Sequence, residues 1–156
     1  MIELQRELIL SDVEASSSED AIRQAAACLQ AHGYIGSQYV EDVLAREKEY
    51  PTGIPADDVA IALPHAFSQD VRKTGVCVLR LKTPVPFANM AMSDDMLPVE
   101  LVFMLANASD AENHLEDLQD LMNVFSRIGL LADLKNAVSP EDFILIFSRR
   151  DEYPEE

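Results

Sequence analysis

Tryptophan is absent from this chain, cysteine occurs twice, glycine five times, and 12 basic residues stand against 28 acidic ones. Each scarcity closes off a class of protein. Cys28 and Cys77, far apart, supply neither a disulfide framework nor the clustered thiolates of structural zinc, so a reducing, cytoplasmic setting is expected. With 5 Gly and 8 Pro beside 48% hydrophobic residues, the chain is not low-complexity and has enough apolar surface for a full core. The formal charge of −16 would repel nucleic-acid phosphates, so no nucleic-acid partner is expected. Anionic membrane surfaces are disfavoured in the same way. The segment Met1 to Glu7 is charged, with no apolar signal region, and no apolar run approaches the ~20 residues of a membrane span. No membrane insertion is therefore expected. The acidity suits encounter with a basic patch on a partner protein; the plainer alternative is that it only keeps the chain soluble.

A length of 156 residues fits one domain, expected to occupy 1–156. Glu7-Leu8-Ile9-Leu10 suits a first strand. Ser16 to Asp20 offers N-cap hydroxyls and first-turn acids to a helix that Gly33 ends. Ser37 is the expected cap of a second helix, carrying Val40, Val43 and Leu44, that Pro51 stops. A loop over 51–55 leads to the buried strand Val59 to Leu63, which Pro64 terminates. Gly75 to Leu81 and Val99 to Leu105 are two more apolar runs of strand type. An irregular segment with Pro84, Pro86, Met90, Met92 and Met96 is expected between them. Ser109 and Glu112 form a capping box for a helix to Phe125, Ser139-Pro140 opens a last helix, and the polar tail from Arg149 is expected to fray. Strands interleaved with helices predict an α/β fold, a mixed β-sheet flanked by helices on both faces.

His65 follows a buried strand and a proline that fixes the local φ, at the strand end where α/β proteins place chemistry. Histidine can be neutral at cellular pH and act as a nucleophile without a separate base. A merely structural loop histidine is the competing reading. His114 shares a helical stripe with Leu118, Leu121 and Phe125 near a helix start, where a core histidine and an anion-binding one are both consistent with the pattern. Arg46 is open between a phosphate ligand and a helix-surface partner of Asp42, with Tyr50 a stacking neighbour. The Met90, Met92 and Met96 side chains with Phe87 suit either a soft docking rim or the core. Asp57-Asp58 and Asp94-Asp95 read as solvated turn acids, and His32 as a helix C-terminal residue. Cys28 and Cys77 read as small buried hydrophobes with no base nearby, and neither Ser68 nor Thr52 has an evident base.

The stretch Pro51-Thr52-Gly53-Ile54 through Val59-Ala60-Ile61-Ala62-Leu63-Pro64-His65-Ala66 resembles the phosphorylation-site motif of IIA components of bacterial sugar phosphotransferase systems, in the mannitol, fructose and nitrogen-related class. Arg46 to Tyr50 resembles the family's arginine-containing helix end, and Val99 to Leu105 with His114-Leu115 resembles its strand and second histidine. Arg46 to Gly53, Lys82 to Phe87 and Glu100 to Leu105 look most like the galactitol-specific branch. Ala60 stands where the family often has Gly, and Phe67 where a polar residue is common.

The resemblance implies a IIA mannitol/fructose-type fold and a phosphotransferase that needs no cofactor or metal. It implies that His65 accepts a phosphoryl group on Nε2 from phospho-HPr and passes it to a cysteine of a cognate IIB component, serving the IIC membrane component indirectly. Arg46 and His114 match the family's assisting residues. The alternatives are a regulatory relative of the nitrogen type, or a binding module with the same fold and no chemistry.

Overall fold

Along the strand Met96–Ala106, Leu101, Phe103 and Leu105 face one apolar cluster while Val102, Met104 and Ala106 face another. Alternate side chains of a strand point to opposite faces, so an unbroken apolar run requires cover on both sides. The computed structural model describes residues 2–56, 59–108 and 111–155, and of 111–113 the backbone alone. Its strands are β1 (Ile9–Val13), β2 (Gly53–Ile54), β3 (Ala60–Ala62), β4 (Gly75–Ala88) and β5 (Met96–Ala106). They form one mixed sheet in the order β1-β4-β5-β3-β2. The pairs β1–β4 and β3–β5 are parallel; β4–β5 and β2–β3 are antiparallel.

Helices α1 (Ser18–Ala31) and α2 (Gln38–Glu49) cover one face through Ile22, Leu29, Tyr39 and Val43. Helices α3 (Ala111–Phe125), α4 (Leu130–Lys135) and α5 (Pro140–Ser148) cover the other through Leu121, Leu134 and Phe143. The expected α/β architecture, a mixed sheet flanked on both faces, is therefore what the chain adopts. Burying a side chain such as Phe103, fully shielded between α3 and α5, stabilises the fold by about 1.5–3 kcal/mol.

Caps follow the sequence in two places. Ser17 Oγ accepts from the Asp20 N–H and Ser139 Oγ from the Asp142 N–H, each at 3.0 Å. Ser37 does not cap α2. Asp70 Oδ2 takes the Gln38 and Tyr39 N–H groups instead, at 2.7 and 3.1 Å, which ties the segment beyond His65 to the helix start. A carboxylate there also offsets the positive end of the helix dipole.

Other expectations are corrected. Residues 6–8 form a 3-10 turn, and the first strand begins only at Ile9. The supposed irregular segment is the continuation of β4 to Ala88, a turn over 89–95, and the start of β5. Pro84 and Pro86 fit a strand because β1 pairs with β4 only as far as Leu81, and an unpaired edge needs no N–H donor. Gly53–Ile54 is a short strand rather than loop, and α4, which buries Leu130, Leu131 and Leu134 at helical spacing, is an element missing from the expectations above. The tail is docked: Arg150 is buried and donates to the Phe147 and Ile2 carbonyls, while Arg127 Nη1 donates to the Tyr153 carbonyl. The Ser109–Glu112 capping box and Asp57-Asp58 lie outside the described residues. Among the described residues no helix is long and apolar enough to cross a membrane, and no group of three or more metal-ligating side chains occurs.

Candidate functional site

β3 ends at Ala62, and three backbone anchors fix the loop that follows. The Leu105 N–H donates to the Pro64 carbonyl at 3.1 Å; the Ala66 N–H donates to the Tyr39 hydroxyl at 3.3 Å; that hydroxyl donates to the Leu105 carbonyl at 2.5 Å. Tyr39 lies fully buried under the loop. His65 is thus presented on a rigid turn between two tethered neighbours.

His65 Nδ1 lies 2.7 Å from the Leu63 carbonyl oxygen. A carbonyl can only accept, so Nδ1 carries the proton and the neutral ring keeps its lone pair on Nε2. Burial pushes the imidazole down to about 4, against the favourable Leu63 bond, and Arg46 and His114 lower it further. The ring is therefore neutral and nucleophilic at neutral pH.

The structure brings His65, His114 and Arg46 together. The His65 and His114 ring centroids are 5.6 Å apart. His114, on the first turn of α3, is buried, and burial followed by Arg46 holds it below its ordinary value. Arg46, Tyr50, Thr52, Leu63, His65, Met90 and Leu118 line one pocket of about 240 Å³. The Asp42 pairing of Arg46 is not made among the described residues; Asp42 binds Gln38 and Ser68 instead. Arg46 stacks over Tyr50, its Cζ 5.0 Å from the ring centroid, and its buried Nε has no hydrogen-bond partner among the described residues. A buried guanidinium N–H without an acceptor, next to two neutral imidazoles, is suited to bind an anion's oxygen.

Met90, 51% exposed, lines this pocket, and Phe67, 59% exposed, packs against His114 at 4.2 Å between centroids with the rings tilted. Met92 and Met96 are also exposed, and Met96 lines the neighbouring cleft beside Glu47. Phe87 is not part of any rim, because it is buried in the core as an inward residue of β4. The two hydroxyls without an evident base in the sequence do have carboxylate partners: Ser68 donates to Asp42 and Thr52 to Glu47, both at 2.7 Å. The Glu47 bond ties the end of α2 to the residue just before β2, which spacing along a helix could not reveal. Cys28 is half-buried rather than buried, with His32 Nδ1 3.9 Å from its sulfur; the Cys77 thiol and that ring pull it down to about 6. Neither cysteine lines the histidine pocket.

Residues 3–150 match the family described as phosphoenolpyruvate-dependent sugar phosphotransferase system, EIIA 2. The chain belongs to that family. Among EIIA relatives, the galactitol-specific EIIA component of Escherichia coli (strain K12) is 31% identical over 98 residues, 63% of this chain and 62% of that protein. The multiphosphoryl transfer protein of Salmonella typhimurium is 30% identical over 132 residues, 83% of this chain. The chain spans about a third of that protein's length, 32%. The solved structure of the mannitol IIA from Escherichia coli superposes with a TM-score of 0.76 at 28% identity, covering 93% of this chain and 99% of that one. The Escherichia coli complex of enzyme IIAMtl with phosphorylated enzyme IIBMtl gives a TM-score of 0.78 at 26% identity over 95% and 99% of the two chains. The EIIA 2 fold expected from the motif around His65 is thus shared along nearly the whole chain.

Proposed function

We propose that this chain is a phosphocarrier in which His65 Nε2 receives a phosphoryl group from phospho-HPr and delivers it to a cysteine of a IIB component, for uptake of a galactitol-like sugar. The observation that carries this reading is the Nδ1–H bond to the Leu63 carbonyl, which leaves Nε2 as the free nucleophile in a pocket shared with Arg46, whose Nε–H has no partner among the described residues.

In the first step the Nε2 lone pair forms the new N–P bond while the donor's N–P bond breaks and its electron pair returns to the donor imidazole. In the second, a IIB thiolate forms an S–P bond as the His65 Nε2–P bond breaks. The proton stays on Nδ1 throughout, held by Leu63. Arg46 supplies fixed donors to the phosphoryl oxygens, and His114, neutral and buried, can donate one more bond. The apolar pocket wall around Leu63, Met90 and Leu118 keeps water from the N–P bond between transfers.

The exposed residues Phe67, Met90 and Met92 form the docking face, which donor and acceptor must use in turn because one nitrogen serves both. Support for a IIB partner comes from the IIA–IIB complex among the similar structures, and for a galactitol-like sugar from the galactitol-specific relative. A regulatory role has its own support in the nitrogen regulatory protein IIA-Ntr of Neisseria meningitidis, 27% identical with a TM-score of 0.76. Purified protein incubated with phospho-HPr should acquire an acid-labile adduct on the Pro64-His65 peptide and discharge it to a galactitol-type IIB. An adduct on His114 or His32, or none at all, would overturn the reading.

A further inference from the structure

Arg46 faces the histidine pocket, whereas its neighbour Glu47 borders a separate cleft beside Ser18 and Phe87. A largely buried carboxylate that takes no part in holding the phosphoryl group requires a reason. Its two oxygens are both committed: Oε2 accepts from the Thr52 N–H at 2.8 Å and Oε1 from the Thr52 hydroxyl at 2.7 Å. Thr52 is 5% exposed, so this clip is shielded from water. The same hydroxyl accepts from the Leu63 N–H at 3.2 Å, and the Thr52 carbonyl faces that N–H at 3.4 Å. Leu63 in turn accepts the His65 Nδ1–H.

We propose that Glu47 and Thr52 are positioning residues for the relay: Glu47 orients the Thr52 hydroxyl, Thr52 holds Leu63, and Leu63 keeps the His65 proton on Nδ1 with Nε2 aimed into the pocket. This inference rests on the phosphocarrier reading. The direction of the chain follows from donor and acceptor capacity. A threonine hydroxyl has one proton and an ionised carboxylate can only accept, so with Glu47 ionised that proton points at it and a lone pair is left for the Leu63 N–H. Leu63 is thereby held at its N–H by Thr52 and at its carbonyl by His65. Neither Glu47 nor Thr52 touches a reacting atom; both act through the one residue whose carbonyl selects the histidine tautomer. A shift of ~1 Å in the nucleophile costs about a hundred-fold in a reaction that depends on alignment, and Leu63 is where such a shift would originate.

Three variants test this. Thr52→Val keeps the shape and removes the hydroxyl, Glu47→Gln turns an N–H₂ group toward one of the two Thr52 donors, and Thr52→Ser keeps the hydroxyl. The readouts are the ¹⁵N signature of the His65 tautomer in the unphosphorylated protein, the rate of labelling by phospho-HPr, and the melting temperature. Thr52→Val and Glu47→Gln should move His65 toward the Nε2–H tautomer and slow labelling roughly ten-fold or more, while Thr52→Ser restores both. If Thr52→Val does not fold, Glu47→Gln is decisive alone. Folded variants with the wild-type tautomer and labelling rate overturn the proposal, as does a lowered melting temperature with the tautomer unmoved. Failure of the wild-type protein to accept label defeats the phosphocarrier reading instead, and the tautomer measurement still judges the clip.

Discussion

His65 and His114 face each other with ring centroids 5.6 Å apart and planes inclined at 46°, both held below the ordinary imidazole value by burial and by Arg46. Two neutral rings can share one phosphoryl group, one as nucleophile and one as donor. His65→Ala should abolish acid-labile labelling with the melting temperature little changed at neutral pH, since the half-buried ring sits on a loop and its removal leaves both apolar clusters intact. His114→Ala should leave labelling in place and slow it ten-fold or more, because a lost donor to a charged group costs about 1.5–3 kcal/mol. Full labelling of the His65→Ala protein, mapped by peptide, would contradict the assignment.

Arg46→Met separates charge from packing. The buried Nε of Arg46 has no partner among the described residues of the unphosphorylated protein, so replacing the side chain by an apolar one of similar length removes a desolvated polar group. Thermal denaturation should show equal or higher stability, while quenched transfer assays show labelling slowed ten-fold or more. A large loss of stability with transfer intact would make Arg46 a packing residue rather than a phosphoryl ligand.

Stability should carry two opposed pH dependences. Burial pushes His65 from 6.5 down to about 4, so its contribution is present above 6.5 and is lost as pH falls through that window, where only the unfolded chain takes up the proton. Burial pushes Glu47 from 4.5 up to about 7, against its Thr52 bonds and Arg46, so its contribution is present below 4.5 and is lost as pH rises toward 7. In urea titrations between pH 4.5 and 6.5, stability should fall with rising pH less steeply, or rise more steeply, in Glu47→Gln than in the wild type. His65→Ala should shift the slope the other way. Parallel curves for all three proteins would remove both assignments.

Met92 is 60% exposed on the turn between β4 and β5 and is absent from both core clusters. Met92→Glu should leave the melting temperature within the range of ordinary surface changes and weaken docking of phospho-HPr and of IIB together. Surface-binding measurements with each partner check this. Unaltered affinity for both would place the docking face elsewhere.

Gly53 tolerates no side chain. A Cβ there would sit 2.5 Å from the Ala88 carbonyl oxygen, and the Met90 N–H already donates to the Gly53 carbonyl at 2.8 Å, so β2 is pressed against the end of β4. Gly53→Ala should lower the melting temperature by several degrees and, by displacing Thr52, slow labelling of His65 as well.

The sequence by itself determined the α/β class, the three apolar strands and the caps of α1 and α5. Those features rest on short-range pattern: alternation or unbroken apolar runs, an N-cap hydroxyl three residues ahead of an N–H, a proline that ends a strand. The candidate trio His65, His114 and Arg46 comes instead from the resemblance to the IIA motif, since spacing leaves each of the three open between a structural and a functional reading. The tertiary structure alone decided what depends on distant partners. Asp70 displaces Ser37 as the cap of α2 because a chain segment 32 residues away returns to the helix start. Phe87 is core and Met92 is surface because β4 continues past two prolines along an unpaired edge. The tail is fixed because Arg150 reaches the carbonyl of Ile2, 148 residues away. The Glu47–Thr52–Leu63–His65 chain of bonds joins the end of α2, the residue just before β2 and the loop after β3, and no periodicity in the sequence encodes it. Local chemistry selects which residues could act and, through the Leu63 carbonyl two residues back, which His65 nitrogen holds the proton; the tertiary fold decides which distant groups, Tyr39, Leu105 and His114 among them, meet around that loop.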